Sequence, residues 1–198
     1  MTTLVNFRKN LLAVLCISAM LLSFGACKET PKAADTEEVA EDMNKPKDDM
    51  SKERDEEFMM KVAEHNLEEI ALGQLAVQKA TDPDVKSFGQ MMVDAHTKAQ
   101  SELTALAAKK SIAVPMAATQ DVQDAVKNMS DKTGLDFDKD FSDRMVRGHK
   151  DAIDKFENMA NNDNSDAEIK AWASSMLPTL RTHLQQAEAI QKKIAEMK

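Results

Sequence analysis

Phe88-Gly89-Gln90-Met91-Met92-Val93-Asp94-Ala95-His96-Thr97-Lys98-Ala99-Gln100-Ser101-Glu102-Leu103 decides how this chain is read. Phe88, Met92, His96, Ala99 and Leu103 stand at steps of four, four, three and four, and Phe141, Met145, His149, Ala152 and Phe156 repeat those steps. Such spacing traces one stripe of a 3.6-residue helix. Each histidine therefore lies inside an apolar stripe, where it needs a partner. His183 lies in a third stripe with Met176, Leu180, Ala187 and Ile190.

Working outward, four long helical patterns cover the second half of the chain and most of its middle. The first runs from about Lys52 to Ala80, with Phe58, Val62, His65, Glu69, Leu72 and Ala76 on one stripe. Asp82-Pro83 reads as a cap followed by proline at the first helical position, opening a second helix that reaches about Lys110. A break at Ile112–Pro115 follows, then a short amphipathic piece around Thr119–Met129, then Gly134 and a third long helix to Ala160. Ser165-Asp166-Ala167-Glu168 reads as a capping box for the fourth, in which Pro178 is expected to cause a bend. No run alternates as a strand would. The expectation is an all-α fold: an up-down four-helix bundle with a longer crossover between its second and third long helices, carrying one short extra helix.

The N-terminal segment points to an address. Arg8 and Lys9 precede an apolar run from Leu11 to Leu22, a pattern of export signals and too short for a membrane span of ~20 residues. Ser23-Phe24-Gly25-Ala26-Cys27 resembles the end of a bacterial lipoprotein signal. The expected organisation is a signal peptide over 1–26, an acylated Cys27 followed by a charged tether to residue 52, and one helical domain over 53–198. A tether of about 25 residues would hold the domain roughly 25–30 Å from the lipid. Lys28 after the cysteine points to the outer membrane, facing the periplasm. Cys16 leaves with the signal and Cys27 is acylated, so the domain has no thiol for a disulfide, an iron–sulfur cluster or thiolate zinc. Losing Arg8 and Lys9 takes the formal charge from −8 to −10, which argues against nucleic acid as a partner. The membrane, through Cys27, is the one partner the residues indicate.

Several stretches together carry a family likeness: Glu69-Ile70-Ala71-Leu72-Gly73-Gln74-Leu75-Ala76, Val85 to His96, Phe137-Asp138, Met145-Val146 with His149, and Leu177-Pro178-Thr179-Leu180-Arg181-Thr182-His183. Over about residues 55–192 the chain resembles the bacterial envelope proteins grouped as domain of unknown function 4142. The resemblance implies a ferritin-like fold and an envelope location. Family members often carry Asp-Asp-His where this chain has Asp94-Ala95-His96, and Tyr at the position of Phe141.

A ferritin-like fold invites a di-iron reading, which the residues oppose. Di-iron bundles use Glu-x-x-His pairs, because hard iron prefers several carboxylate oxygens. Val93, Val146 and Leu180 stand three residues before the histidines instead. A leaner set remains: His96, His149 and His183 from three helices with Glu69 from the fourth. Three nitrogens and one oxygen suit one transition-metal ion, zinc, copper or iron. Met92 and Met145, each four residues before a histidine, join only for copper. His65, one turn before Glu69, reads as a local partner of that carboxylate. No phosphate loop, nucleophile elbow or Cys–His pair is present. The leading functional reading is a non-enzymatic envelope protein with a buried His/Glu cluster able to take a metal. The alternative is a metal-handling or metal-dependent redox protein with a mononuclear Glu/His3 site.

Overall fold

The computed structural model describes residues 50–197; the signal segment, Cys27 and nearly all of the expected tether lie outside them. The described residues form five helices and no strand: α1 (Met50–Lys79), α2 (Pro83–Lys110), α3 (Gln120–Ser130), α4 (Gly134–Ala160) and α5 (Ala167–Ala195). None is long and apolar enough to cross a membrane. α1 pairs with α2 and α4 with α5, and short α3 lies in the connection between the pairs, packed mainly on α1.

Local chemistry sets the boundaries. Asp82 caps α2, accepting from the amides of Asp84 and Val85, with Pro83 at the first position where a missing N–H costs nothing. Ser111 ends α2 in the left-handed conformation at φ 58°. α5 departs from expectation at its start. Its cap is Asp166, whose Oδ1 accepts from Glu168 and Ile169, and Ser165 takes no part. The choice is tertiary: the Asp166 amide donates to Asp55 Oδ2 at 2.8 Å, and Lys110 pairs with the Asp166 carboxylate at 2.7 Å. Pro178 stays within an uninterrupted α5.

The buried apolar residues fall into two clusters. One joins Phe58, Met59, Val62, Leu103, Phe156 and Ile169 with their neighbours. The other joins Leu72, Phe88, Met92, Phe137, Phe141, Met145 and Ile194 with theirs. On every long helix the gap between the two holds the polar residues: Asn66 and Glu69 on α1, His96 on α2, His149 on α4 and His183 on α5, all buried. A single polar layer thus divides the core.

Helix contact near this layer is close. α1 and α2 meet at Gly73 and Gly89, where an added Cβ on Gly73 would lie 2.7 Å from the Gly89 carbonyl oxygen. That atom is backbone and cannot swing aside. Gly→Ala inside a helix ordinarily gains about 1 kcal/mol. Here Gly73→Ala is expected to reverse that sign and cost about 1–3 kcal/mol, through forced separation of the helices. Urea unfolding of the two proteins checks it, a gain in stability being the contrary result.

Candidate metal centre

Four imidazoles meet in the polar layer. Ring centroids lie 5.8 Å apart for His96–His149, 5.8 Å for His96–His183 and 5.4 Å for His149–His183. One nitrogen from each of these three falls within 4.8 Å of the others. A tetrahedral ion with bonds of about 2.0–2.1 Å would hold such nitrogens roughly 3.4 Å apart, so binding would draw the three rings closer together. His65, read from sequence as a partner for Glu69 alone, joins them: its ring stands 5.7 Å from His96 and 6.3 Å from His149. Its Nε2 is 3.9 Å from Glu69 Oε1, too far for a hydrogen bond.

The outer nitrogens fix which atoms point inward. His149 Nδ1 lies 2.9 Å from the carbonyl oxygen of Met145, so Nδ1 carries the proton and Nε2 keeps its lone pair. His96 Nδ1 lies 2.9 Å from Asn66 Oδ1. The orientation of that amide is imposed from further out. Gln100 Nε2 donates to the Pro115 carbonyl, which leaves Gln100 Oε1 to accept from Asn66 Nδ2. Asn66 can then offer only its oxygen to His96. A backbone carbonyl in the α2–α3 loop thereby sets the tautomer of a ring in the core, as outer partners of metal-bound histidines do.

What remains inside has no protein partner among the described residues: Nε2 of His65, His96 and His149, Nδ1 of His183, and Oε2 of Glu69. At roughly 1–3 kcal/mol for each unsatisfied buried group, the five rival the net stability of a domain, about 5–15 kcal/mol. Burial also keeps them uncharged. Desolvation lowers the pKa of all four histidines, to about 4 for His183. Desolvation, with Glu68 nearby, pushes Glu69 up to about 8. The result is a set of neutral imidazoles, the form that ligates metals.

Of the residues singled out in the sequence, His96, His149 and His183 are brought together. Glu69 lies beside the triad, near His65, and outside its 4.8 Å spacing. Met92 and Met145 are fully buried in the apolar cluster next to the layer. Asn66, Gln100 and the participation of His65 were not anticipated. The signal for His65 was there, as its place on the α1 stripe with Glu69. Asn66 shares a stripe with Met59, Ala63 and Gly73, and Gln100 one with His96, Leu103 and Ala107, so spacing offered a signal that an uncharged amide did not draw attention to.

A family profile matches residues 40–190, described as Domain of unknown function (DUF4142). The chain belongs to this family. No curated protein and no solved structure matches it.

The shifted groups predict how the metal-free protein responds to pH. Glu69 binds its proton more tightly folded than unfolded, so its contribution is fully present below about pH 4.5 and lost as pH rises towards about 8. The histidines act oppositely: their contribution is present above 6.5 and lost as pH falls towards their lowered folded values. Between pH 6.5 and 8 the Glu69 effect dominates within the layer. Unfolding of chelator-treated protein should show a loss on the order of 1–2 kcal/mol across that interval, absent in Glu69→Gln. An equal loss in both proteins would contradict the assignment.

Proposed function

We propose that the domain is a ferritin-like four-helix bundle that holds one transition-metal ion on His96, His149 and His183, at the cell envelope on a lipid anchor at Cys27. The observation that carries the metal reading is the convergence of His96, His149 and His183, from three helices, within a layer where each of these rings keeps one buried nitrogen with no protein partner among the described residues. A purely structural network would join such groups to each other. Here the hydrogen bonds go outward, to Asn66 and the Met145 carbonyl, and leave the inner lone pairs free. This favours metal holding or handling over a polar layer serving only helix register.

Three imidazoles suit zinc first, and the same donors accept copper or iron. Glu69 supplies negative charge next to the ion once its proton leaves. Met92 and Met145 matter only for Cu(I), which favours thioether ligands. The envelope address rests on the basic, apolar and Cys27 pattern of the first 27 residues. An acidic chain tethered by lipid fits metal handling outside the cytoplasm.

The intact chain, purified in detergent and analysed for elements after exposure to zinc, copper and iron in turn, should carry one ion per chain. His96→Ala with His149→Ala should abolish it. Absence of stoichiometric metal from the unaltered chain would overturn the reading, with bridging waters then satisfying the layer. Asn66→Leu removes the acceptor that orients His96 and should weaken metal affinity by about 10–100-fold while the helices stay folded. Competition with a chromophoric chelator measures it.

A further inference from the structure

Each of the four long helices brings one imidazole to the polar layer, and the one from α1 is held differently from the rest. His96 and His149 are fixed from outside by Asn66 and the Met145 carbonyl. His65 Nε2 is buried and has no partner among the described residues, while the side chain as a whole keeps 21% of its surface exposed. Its ring rests against α4 where that helix is smallest. A Cβ added to Gly148, the residue before His149, would lie 3.5 Å from His65 Cε1. His65 is thus the least constrained of the four rings.

Its distance from the triad is that of a ligand. A ring bound to zinc has its centre about 3.2 Å from the ion, the bond plus the radius of the ring, so two rings on one tetrahedral ion stand roughly 5.2 Å apart. The triad rings are 5.4–5.8 Å apart. His65 is 5.7 Å from His96, as near as His183 is, and 6.3 Å from His149. Its nitrogens fall outside the 4.8 Å grouping of the triad, so ligation requires the ring to turn inward. Glu69, one turn along the same helix, is the rival for this position. Its carboxylate lies against His65, with Oε1 3.9 Å from Nε2, and against Gly148. Of the two α1 side chains, His65 is the one in ring contact with two members of the triad.

We propose that His65 is the fourth ligand of the ion held by His96, His149 and His183 and closes a shell of four imidazoles, one from each long helix. This deepens the metal reading above and rests on it. Closed four-ligand shells are the mark of sites that hold an ion, whereas catalytic sites keep a position for water or substrate. The centre then holds its ion without offering it to a substrate, and Glu69 lies beside the shell as a compensating group.

The test uses the intact chain loaded with cobalt(II), whose visible bands report the ligand set, with metal content measured by elemental analysis and helix content by circular dichroism. Imidazole is the probe. It should leave the spectrum of the unaltered chain unchanged, because no position is open. His65→Ala should lose that spectrum, and added imidazole should restore it together with any cobalt lost. His65→Gln, which keeps the bulk of the side chain, should lose the spectrum as well, and Glu69→Gln should retain it. If no cobalt loads on the unaltered chain, the metal reading falls and the fourth ligand with it. If cobalt loads, three results overturn the fourth ligand alone: a spectrum indifferent to His65→Ala, a change in that variant that imidazole does not reverse, or a loss in Glu69→Gln in place of the His65 variants.

Discussion

Desolvation of four imidazoles and a carboxyl in one layer of a helical core is the constraint to which the rest of this structure answers. Apolar residues alone would fill the same space without hydrogen-bonding requirements. Placing polar groups there divides the core into two apolar halves and requires that every proton in the layer be assigned. The assignment is made from outside: the Met145 carbonyl holds one ring, and the run from Pro115 through Gln100 and Asn66 holds another. Both leave lone pairs pointing inward. The loop after α2, which sequence suggests is only a break, thus helps define the centre of the core.

Much of this was legible because it depends on periodicity. Two copies of one five-residue spacing place His96 and His149 at the same depth on two helices, and the Leu180–Ala187 stripe does so for His183. Asp82 and Pro83 open α2 by backbone chemistry that acts within a few residues. The parts that escaped depend on contacts between distant residues. Ser165 and Asp166 both qualify as caps by type, and Asp55 and Lys110, far away in sequence, decide between them. Asn66 lies on a stripe with Met59 and Ala63, but its partner, His96, is 30 residues away and is set by how α1 and α2 pack. Gly148 gives no periodic signal, since its role is the space it leaves for Glu69.

The layer links fold to function through one property. Neutral imidazoles with free lone pairs, preoriented and enclosed, lose little on binding a cation and relieve several unsatisfied groups at once. Glu69 extends the same logic: burial keeps it protonated until a positive charge beside it makes ionisation favourable. A cleft between α1 and α4 reaches His65 and Glu69, at the α1 edge of the layer. Membership of the DUF4142 family and the lipid-anchor pattern are compatible with such a centre without requiring it.

X-ray absorption at the K edge of the bound metal addresses the central claim most directly, because outer-atom scattering counts imidazoles. The account predicts three histidine nitrogens at about 2.0–2.1 Å, with any further ligand a light oxygen or nitrogen donor. A spectrum of oxygen donors with no imidazole, or with a single one, would place the metal elsewhere and contradict the account.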